Sequence, residues 1–490
     1  VSEWKPILDE LERRREVARA MGGPERVERL LTARGKLDAR RRLDLLFDPG
    51  TFFEIGPLVG GVEAPADALV AGFGKIAGRA ALAAAEDFSV LGGSIGAGSM
   101  AKRVRVCELA LRERVPLVFL LDGAGHRLSE SGGSTGRAPS DLLLLADLSK
   151  RVPMVCLVLG ASAGHGALTA PLSDFTVMTE GAAMFTGGPP LVRAALGETV
   201  TKEELGGPAV CAEIAGTAHN VVRDDAEAVA LARRYLSFFP PNRDEPAPRR
   251  DGPDAGPRRL DDLLEIIPAN DRKPYPMRRV IEGLVDAGDL LEIQPRYGPS
   301  LVCALAWVGG HSCAIVANDP SVRAGALDSA GAIKAAEFLE TAGSFNLPVI
   351  FLADNPGVMA GTKAEREGIL KWAGRMFQAE RRLRVPKIHV TLRKAFGFGS
   401  TTMAQNPFDD QTLTLSFPSL LLSSMPAGPG GRSAKLDEAA QERVEREQRE
   451  GPWRLAAGMA TDDVIDPREL RNAILAGLAL AGERLRRPAR

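Results

Sequence analysis

Two apolar runs set the first expectation. VPLVFLLD (115–122) and VPMVCLVL (152–159) are continuous rather than alternating, as in strands covered on both faces of a sheet. Elsewhere the period changes. In KRVRVCELALRER (102–114), Val104, Cys107, Leu109 and Leu111 fall along one side of a helix. LDEAAQERVEREQREGPWRLA (436–456) reads as a charged helix and a short second one, suited to surface or subunit packing. Strands alternating with helices predict an α/β class with βαβ-type crossovers.

The pattern occurs twice. Glu54-Ile55-Gly56-Pro57 matches Glu292-Ile293-Gln294-Pro295. Gly78 and Gly310 lie 232 positions apart, and so do Lys102 and Lys334. RVPLVFLLDGAG (114–125) falls opposite NLPVIFLADNPG (346–357) at the same spacing. RVPMVCLVLGASAGHGALTA (151–170) falls opposite RVPKIHVTLRKAFGFGSTTM (384–403) at 233. A near-constant spacing over more than 100 residues predicts two copies of one domain in tandem. The proline-, glycine- and charge-rich PPNRDEPAPRRDGPDAGPRR (240–259) marks the join. The domains are expected at 1–258 and 259–490.

One stretch carries a chemical question. Gly160-Ala161-Ser162-Ala163-Gly164 fits the G-x-S-x-G pattern of a serine hydrolase elbow, and Asp174 and His219 follow in hydrolase order. The second copy has Ala395 where the first has Ser162. What both copies keep is a strand, then Gly164-x-Gly166 or Gly397-x-Gly399, then a helix start. Such a turn allows close backbone approach and aims free N–H groups outward. Two backbone oxyanion holes are therefore expected, with a purely structural turn as the plain alternative.

Composition narrows the class. The 490 residues carry a net charge of −1, which gives no general attraction to nucleic acid or an anionic membrane. No run is long enough to span a membrane. The five cysteines contain no C-x-x-C pair, so neither a zinc ribbon nor a redox pair is expected, and no metal. The charged N-terminal stretch lacks a signal-peptide core, which points to the cytoplasm.

Taken in order, these segments closely resemble the β subunit of biotin-dependent acyl-CoA carboxylases, the carboxyltransferase of propionyl-CoA and acetyl-CoA carboxylases. The resemblance runs from GKLDARRRLDLLFDPGTFFEIG (35–56) through FSVLGGSIG (88–96), TGGPPLVRAALGETVTKEELGG (186–207) and DNPGVMAGTKAEREGIL (354–370) to DDVIDPRELRNAIL (462–475). It implies tandem ClpP/crotonase-like domains of ββα superhelical units. The N-terminal copy would take the acyl-CoA side and the C-terminal copy the biotin side. It also implies carboxybiotin supplied in trans by a carrier protein, a biotin carboxylase and carrier subunit as partners, a CoA thioester as substrate, and a homo-oligomer, usually a hexamer built as a trimer of dimers.

Carried onto this sequence, the family's enolate hole falls on the backbone of Gly164 and His165, with Gly166 supporting the turn. The biotin-side hole falls on Phe398 and Gly399, shaped by Gly397. Gly92, Gly93 and Ser94 would approach the CoA arm, and Lys102 and Arg127 would meet its phosphates, with solvated surface cations as the alternative for the last two. The position tied to acyl-chain selection is Thr401. The sequence departs from the family at these turns: His165 stands for a usual glycine, Phe398 and Thr401 alter the second turn, and Asp122-Gly123-Ala124-Gly125-His126-Arg127 replaces the usual D-S-G-G-A-R. Two further readings follow: a biotin-independent decarboxylase of a malonyl-type thioester, with His165 or His126 as proton donor, and a non-catalytic scaffold subunit.

Overall fold

The computed structural model describes residues 3–127, 140–288 and 290–488. The chain forms two compact units, Val1–Ser237 and Phe238–Arg490. Residues 240–259 lie in the second of them, where the Arg250 N–H donates to the Gly310 carbonyl.

In the first unit the strands are β1 (Phe53–Ile55), β2 (Leu69–Ile76), β3 (Arg79–Glu86), β4 (Leu117–Leu121), β5 (Met154–Val158), β6 (Ala161–Ala163), β7 (Phe175–Thr179), β8 (Ala183–Phe185) and β9 (Asn220–Val222). The main sheet runs β1-β2-β3-β4-β5-β7-β9, while β6 and β8 form a separate parallel pair. The first two pairings are antiparallel and the rest parallel. The two apolar runs supply β4 and β5, buried at every position because helices cover both faces. The helix expected at 102–114 begins earlier, at Ala97, and ends at Glu113, where Arg114 takes a left-handed conformation.

The second unit repeats this path with β10 (Leu290–Ile293), β11 (Leu301–Val308), β12 (His311–Asn318), β13 (Val349–Asn355), β14 (Lys387–Phe396), β15 (Leu413–Ser416), β16 (Leu421–Ser423) and β17 (Asp463–Val464). Even the register carries over. Leu82 pairs with Leu117 and Leu117 with Met154; Ala314 pairs with Val349 and Val349 with Lys387. One difference stands out. β14 is continuous through Arg393, whereas the first copy breaks at Leu159-Gly160 between β5 and β6.

Each unit has a fully buried arginine that ties its early chain to its late chain. Arg42 donates to Asp122 (3.0 Å) and Asp225 (2.8 Å). Arg471 donates to Asp286 (2.8 Å) and to the carbonyls of Asp254, Gly256 and Leu284. A buried charge stays in the core only when paired in this way. All five cysteines are buried free thiols. No described helix is long and apolar enough to cross a membrane.

Candidate active site: two repeat-related turns

The loops after β3, β4 and β5 stack against one another. Gly92 accepts from the Ala124 N–H, Gly125 from Ile95, and Gly123 from Ala163. The packing leaves no room for side chains: a Cβ on Gly93 would stand 2.4 Å from the Asp122 carbonyl oxygen. Leu91, Gly92 and Gly93 all have positive φ, and so do Arg323, Ala324 and Gly325 at the same places in the second copy. The shared fold imposes this turn on either sequence.

Gly164 and Gly397 both have φ +57. This left-handed kink turns each chain from strand into helix. The Gly164 N–H is already taken, donating to the Phe185 carbonyl at 3.1 Å. Among the described residues, the N–H groups of His165 and Gly166 have no acceptor. The open donors in the first copy are thus His165 and Gly166, one position later than the sequence placed them. They match Phe398 and Gly399, which lie in the first turn of the short helix Gly397–Thr402 and have no intrahelical acceptor there. Asn355 backs that second turn: a Cβ on Gly399 would lie 2.8 Å from its amide nitrogen. The Asn355 Nδ2 is buried without a partner among the described residues. Thr401 lies further along this helix, half-buried, and the Phe398 ring meets Phe377 edge-on at 5.6 Å.

The CoA-side candidates divide. Ser94 and Arg127 come together, with the Arg127 guanidinium bonding the Ser94 oxygens and Asp67. Lys102 is instead buried, and its Nζ reaches the carbonyls of Ala66 (3.2 Å) and Leu69. Burial pushes its pKa down to about 8. Lys334 does the same at Gln294 and Tyr297, so this lysine pair braces a loop in each copy and is not presented to phosphate. Exposed Arg34 and Lys202 border a cavity of about 310 Å³ reached by Gly160 and Asp122.

The hydrolase constellation does not assemble. Ser162 is fully buried and its Oγ has no partner among the described residues. Asp174 is bound by Lys150 and the Met154 N–H. His219 accepts from the Thr176 N–H, and burial lowers its pKa to about 3.

The sequence did not point to the network behind the first turn. His165 Nε2 lies 2.6 Å from Asp141 Oδ1, and Arg103 donates to Asp141 Oδ2 at 2.6 Å. Burial pushes the Asp141 carboxyl up, but the His165 hydrogen bond and the Arg103 charge outweigh it and hold it at about 2. Arg103 also donates to Thr169 Oγ1, stacks on Phe119 at 4.6 Å and faces Glu86 at 3.6 Å. Burial raises Glu86 to about 7 despite Arg103 and a hydrogen bond from the Asp122 N–H. The His126 ring packs against His165 with centroids 4.7 Å apart, and burial followed by the neighbouring His165 lowers its pKa.

Comparison with known proteins settles the lineage. The carboxyl transferase domain matches residues 31–490. The chain belongs to the carboxyl transferase family. It is 36% identical to the methylmalonyl-CoA carboxyltransferase 12S subunit of Propionibacterium freudenreichii subsp. shermanii, over 99% of this chain and 96% of that protein. It is 33% identical to the methylmalonyl-CoA decarboxylase subunit alpha of Veillonella parvula, over 94% and 93%. A crystal structure of transcarboxylase 12S, a hexamer with methylmalonyl-coenzyme A and methylmalonic acid bound, superposes with a TM-score of 0.91 at 35% identity, covering 99% of this chain and 97% of that one. The α/β class expected from sequence is the one found, and a carboxyl transferase that acts on acyl-CoA thioesters fits every one of these likenesses.

Proposed function

We propose that this chain moves a carboxyl group between carboxybiotin on a partner carrier and the α-carbon of a short acyl-CoA. The first unit would hold the acyl thioester, with the backbone N–H groups of His165 and Gly166 taking the enolate oxygen. Each such donor contributes about 3 kcal/mol to a transition state when it meets the developing charge in a water-poor site. Ser94 and Arg127 would line the way in for the CoA arm. Gly92 and Gly93 allow the backbone to come close, and Arg34 and Lys202 offer charge to its phosphates. The second unit would hold the biotin ring at Phe398 and Gly399. The unpartnered Asn355 amide beside Gly399 suits a carbonyl acceptor such as the ureido oxygen. When bound, carboxybiotin supplies the carboxyl group. Thr401 would help set which acyl chain fits. By likeness to the hexameric transcarboxylase, the working form is a homo-oligomer. A biotin carrier subunit as partner and a cytoplasmic location complete the reading.

The observation that carries this reading is the pair of matched turns with open N–H groups, one in each copy. The test is a panel of acyl-CoAs incubated with the purified chain and a carboxylated biotin carrier. Carboxyl transfer to a short acyl-CoA is expected, and no transfer to any member of the panel would overturn the reading. The likeness to a methylmalonyl-CoA decarboxylase subunit favours one alternative, loss of CO₂ from a malonyl-type thioester, which the same panel detects.

A further inference from the structure

We propose that the His165 side chain is an acid–base catalyst at the α-carbon of the bound thioester, set in its working tautomer by Asp141. This rests on the first unit being the acyl-CoA site. The backbone of His165 then faces the thioester oxygen, and its ring stands beside the same turn.

The ring is held from behind. An ionised carboxylate only accepts, so the 2.6 Å contact to Asp141 puts the proton on Nε2 and leaves a lone pair on Nδ1. Nδ1 is the ring nitrogen on the main-chain side, and it has no partner among the described residues. Asp141 is itself fixed by Arg103, which Thr169 and Phe119 fix in turn. The His165 side chain retains 14% exposure, while Asp141 and Arg103 have none.

Two other histidines show what a structural role looks like in this protein. His389 is fully buried with both nitrogens engaged, by the Met403 carbonyl and the Thr391 hydroxyl. His219 is half-buried, and its Nδ1 accepts from the Thr176 N–H. His165 has one nitrogen without a partner among the described residues.

The second copy separates scaffold from chemistry. Opposite His165, Arg103 and Glu86 stand Phe398, Ala335 and Asn318, and opposite Asp141 stand Ala373 and Gly374. The shared fold closes without any of these charges. Burying three of them in one copy is costly, and a repeat that folds without them does not require it.

The step balances within the site. The Nδ1 lone pair takes the α-proton, the C–H electron pair becomes the new carbon–carbon π bond, and the thioester carbonyl becomes an enolate oxygen on the N–H groups of His165 and Gly166. The imidazolium charge faces Asp141. The reverse step returns the proton to the carbon. The chain should therefore labilise the α-hydrogen of its substrate with no biotin present.

The test incubates the full-length chain with propionyl-CoA in D₂O without a carrier and follows α-deuterium by mass spectrometry. Exchange well above the buffer rate is expected. His165→Asn should lower it at least ~100-fold, the scale of general acid–base catalysis. Added imidazole should restore part of it in His165→Ala, which a merely structural histidine would not permit. Asp141→Asn should lower exchange, and the conservative Asp141→Glu should restore part of it, which a merely structural carboxylate would not show. A wild-type chain that transfers carboxyl groups from a carboxylated carrier but shows no exchange would overturn this proposal and leave the proposed function standing. A wild-type chain that does neither would overturn both. Exchange in His165→Asn at the wild-type rate would also overturn it.

Discussion

Replacing Ser162 by alanine separates two views of the first turn. If the hydroxyl were a nucleophile, its removal would abolish turnover. The structure predicts a gain in stability instead. Ser162 is fully buried in β6, and its Oγ finds no hydrogen-bond partner among the described residues. An unmade hydrogen bond on a buried hydroxyl costs about 1–3 kcal/mol. Deleting one oxygen leaves a void on the order of 10–15 Å³, worth roughly 0.3 kcal/mol of lost packing at ~24 cal/mol per Å³. The net gain is about 0.7–2.7 kcal/mol, or a rise of roughly 1–11 °C in the melting temperature of a unit this size. The second copy already has this arrangement, with a fully buried Ala395 in β14. Differential scanning calorimetry measures the shift, and the carboxyl transfer assay measures the activity. Both the gain and near-unchanged turnover are expected. Ser162→Ala that folds normally but loses all activity would refute the backbone account, and a loss of 1 kcal/mol or more would refute the packing account.

Two other perturbations test the site from different sides. Gly164→Ala and Gly397→Ala each force alanine into φ +57, at about 1–2 kcal/mol. The new Cβ meets nothing closer than the Thr186 oxygen at 3.6 Å in the first case but stands 2.9 Å from the Ser424 carbonyl in the second. Gly397→Ala should therefore cost about 1–3 kcal/mol more in denaturant unfolding, the usual range for overpacking. Glu86 gives a pH signature. Its pKa rises on folding from 4.5 to about 7, so the folded state holds this proton more tightly, and the stabilisation present below pH 4.5 is lost as pH rises through 7. Thermal melts between pH 5 and 8 should show the wild type losing stability relative to Glu86→Gln, which cannot titrate.

Much of the fold was legible because a repeat spaced 232 residues apart fixes topology and register together. The strand pairings of β3, β4 and β5 recur residue for residue in β12, β13 and β14. The turns were legible for the same reason, since glycine recurs where φ must be positive. Hydrogen-bond bookkeeping was not: no local pattern says that Phe185, 21 residues on, takes the Gly164 N–H. Lys102 looked like a surface cation because charge alone does not reveal a lysine turned inward onto carbonyls. The Asp141–His165 pair joins a helix start to a turn 24 residues away, beyond any motif. One signal did exist, since these charges have uncharged counterparts in the second copy.

The buried arginines also order events during synthesis. Arg42 and Asp225 are 183 residues apart, and Arg471 and Asp286 are 185 apart. At about 5–20 residues per second, Arg42 waits roughly 10–40 s for its last carboxylate to leave the ribosome. Until then the first unit carries a guanidinium with half its counter-charge, so the nascent chain stays open along this seam. The second unit waits about as long, because Arg471 follows Asp286 by 185 residues and only then meets the carbonyls of Asp254, Gly256 and Leu284. Each half closes like a clasp joined at its two ends, and a fragment stopped short of Asp225 in the first unit, or of Arg471 in the second, would lack the contact that completes it.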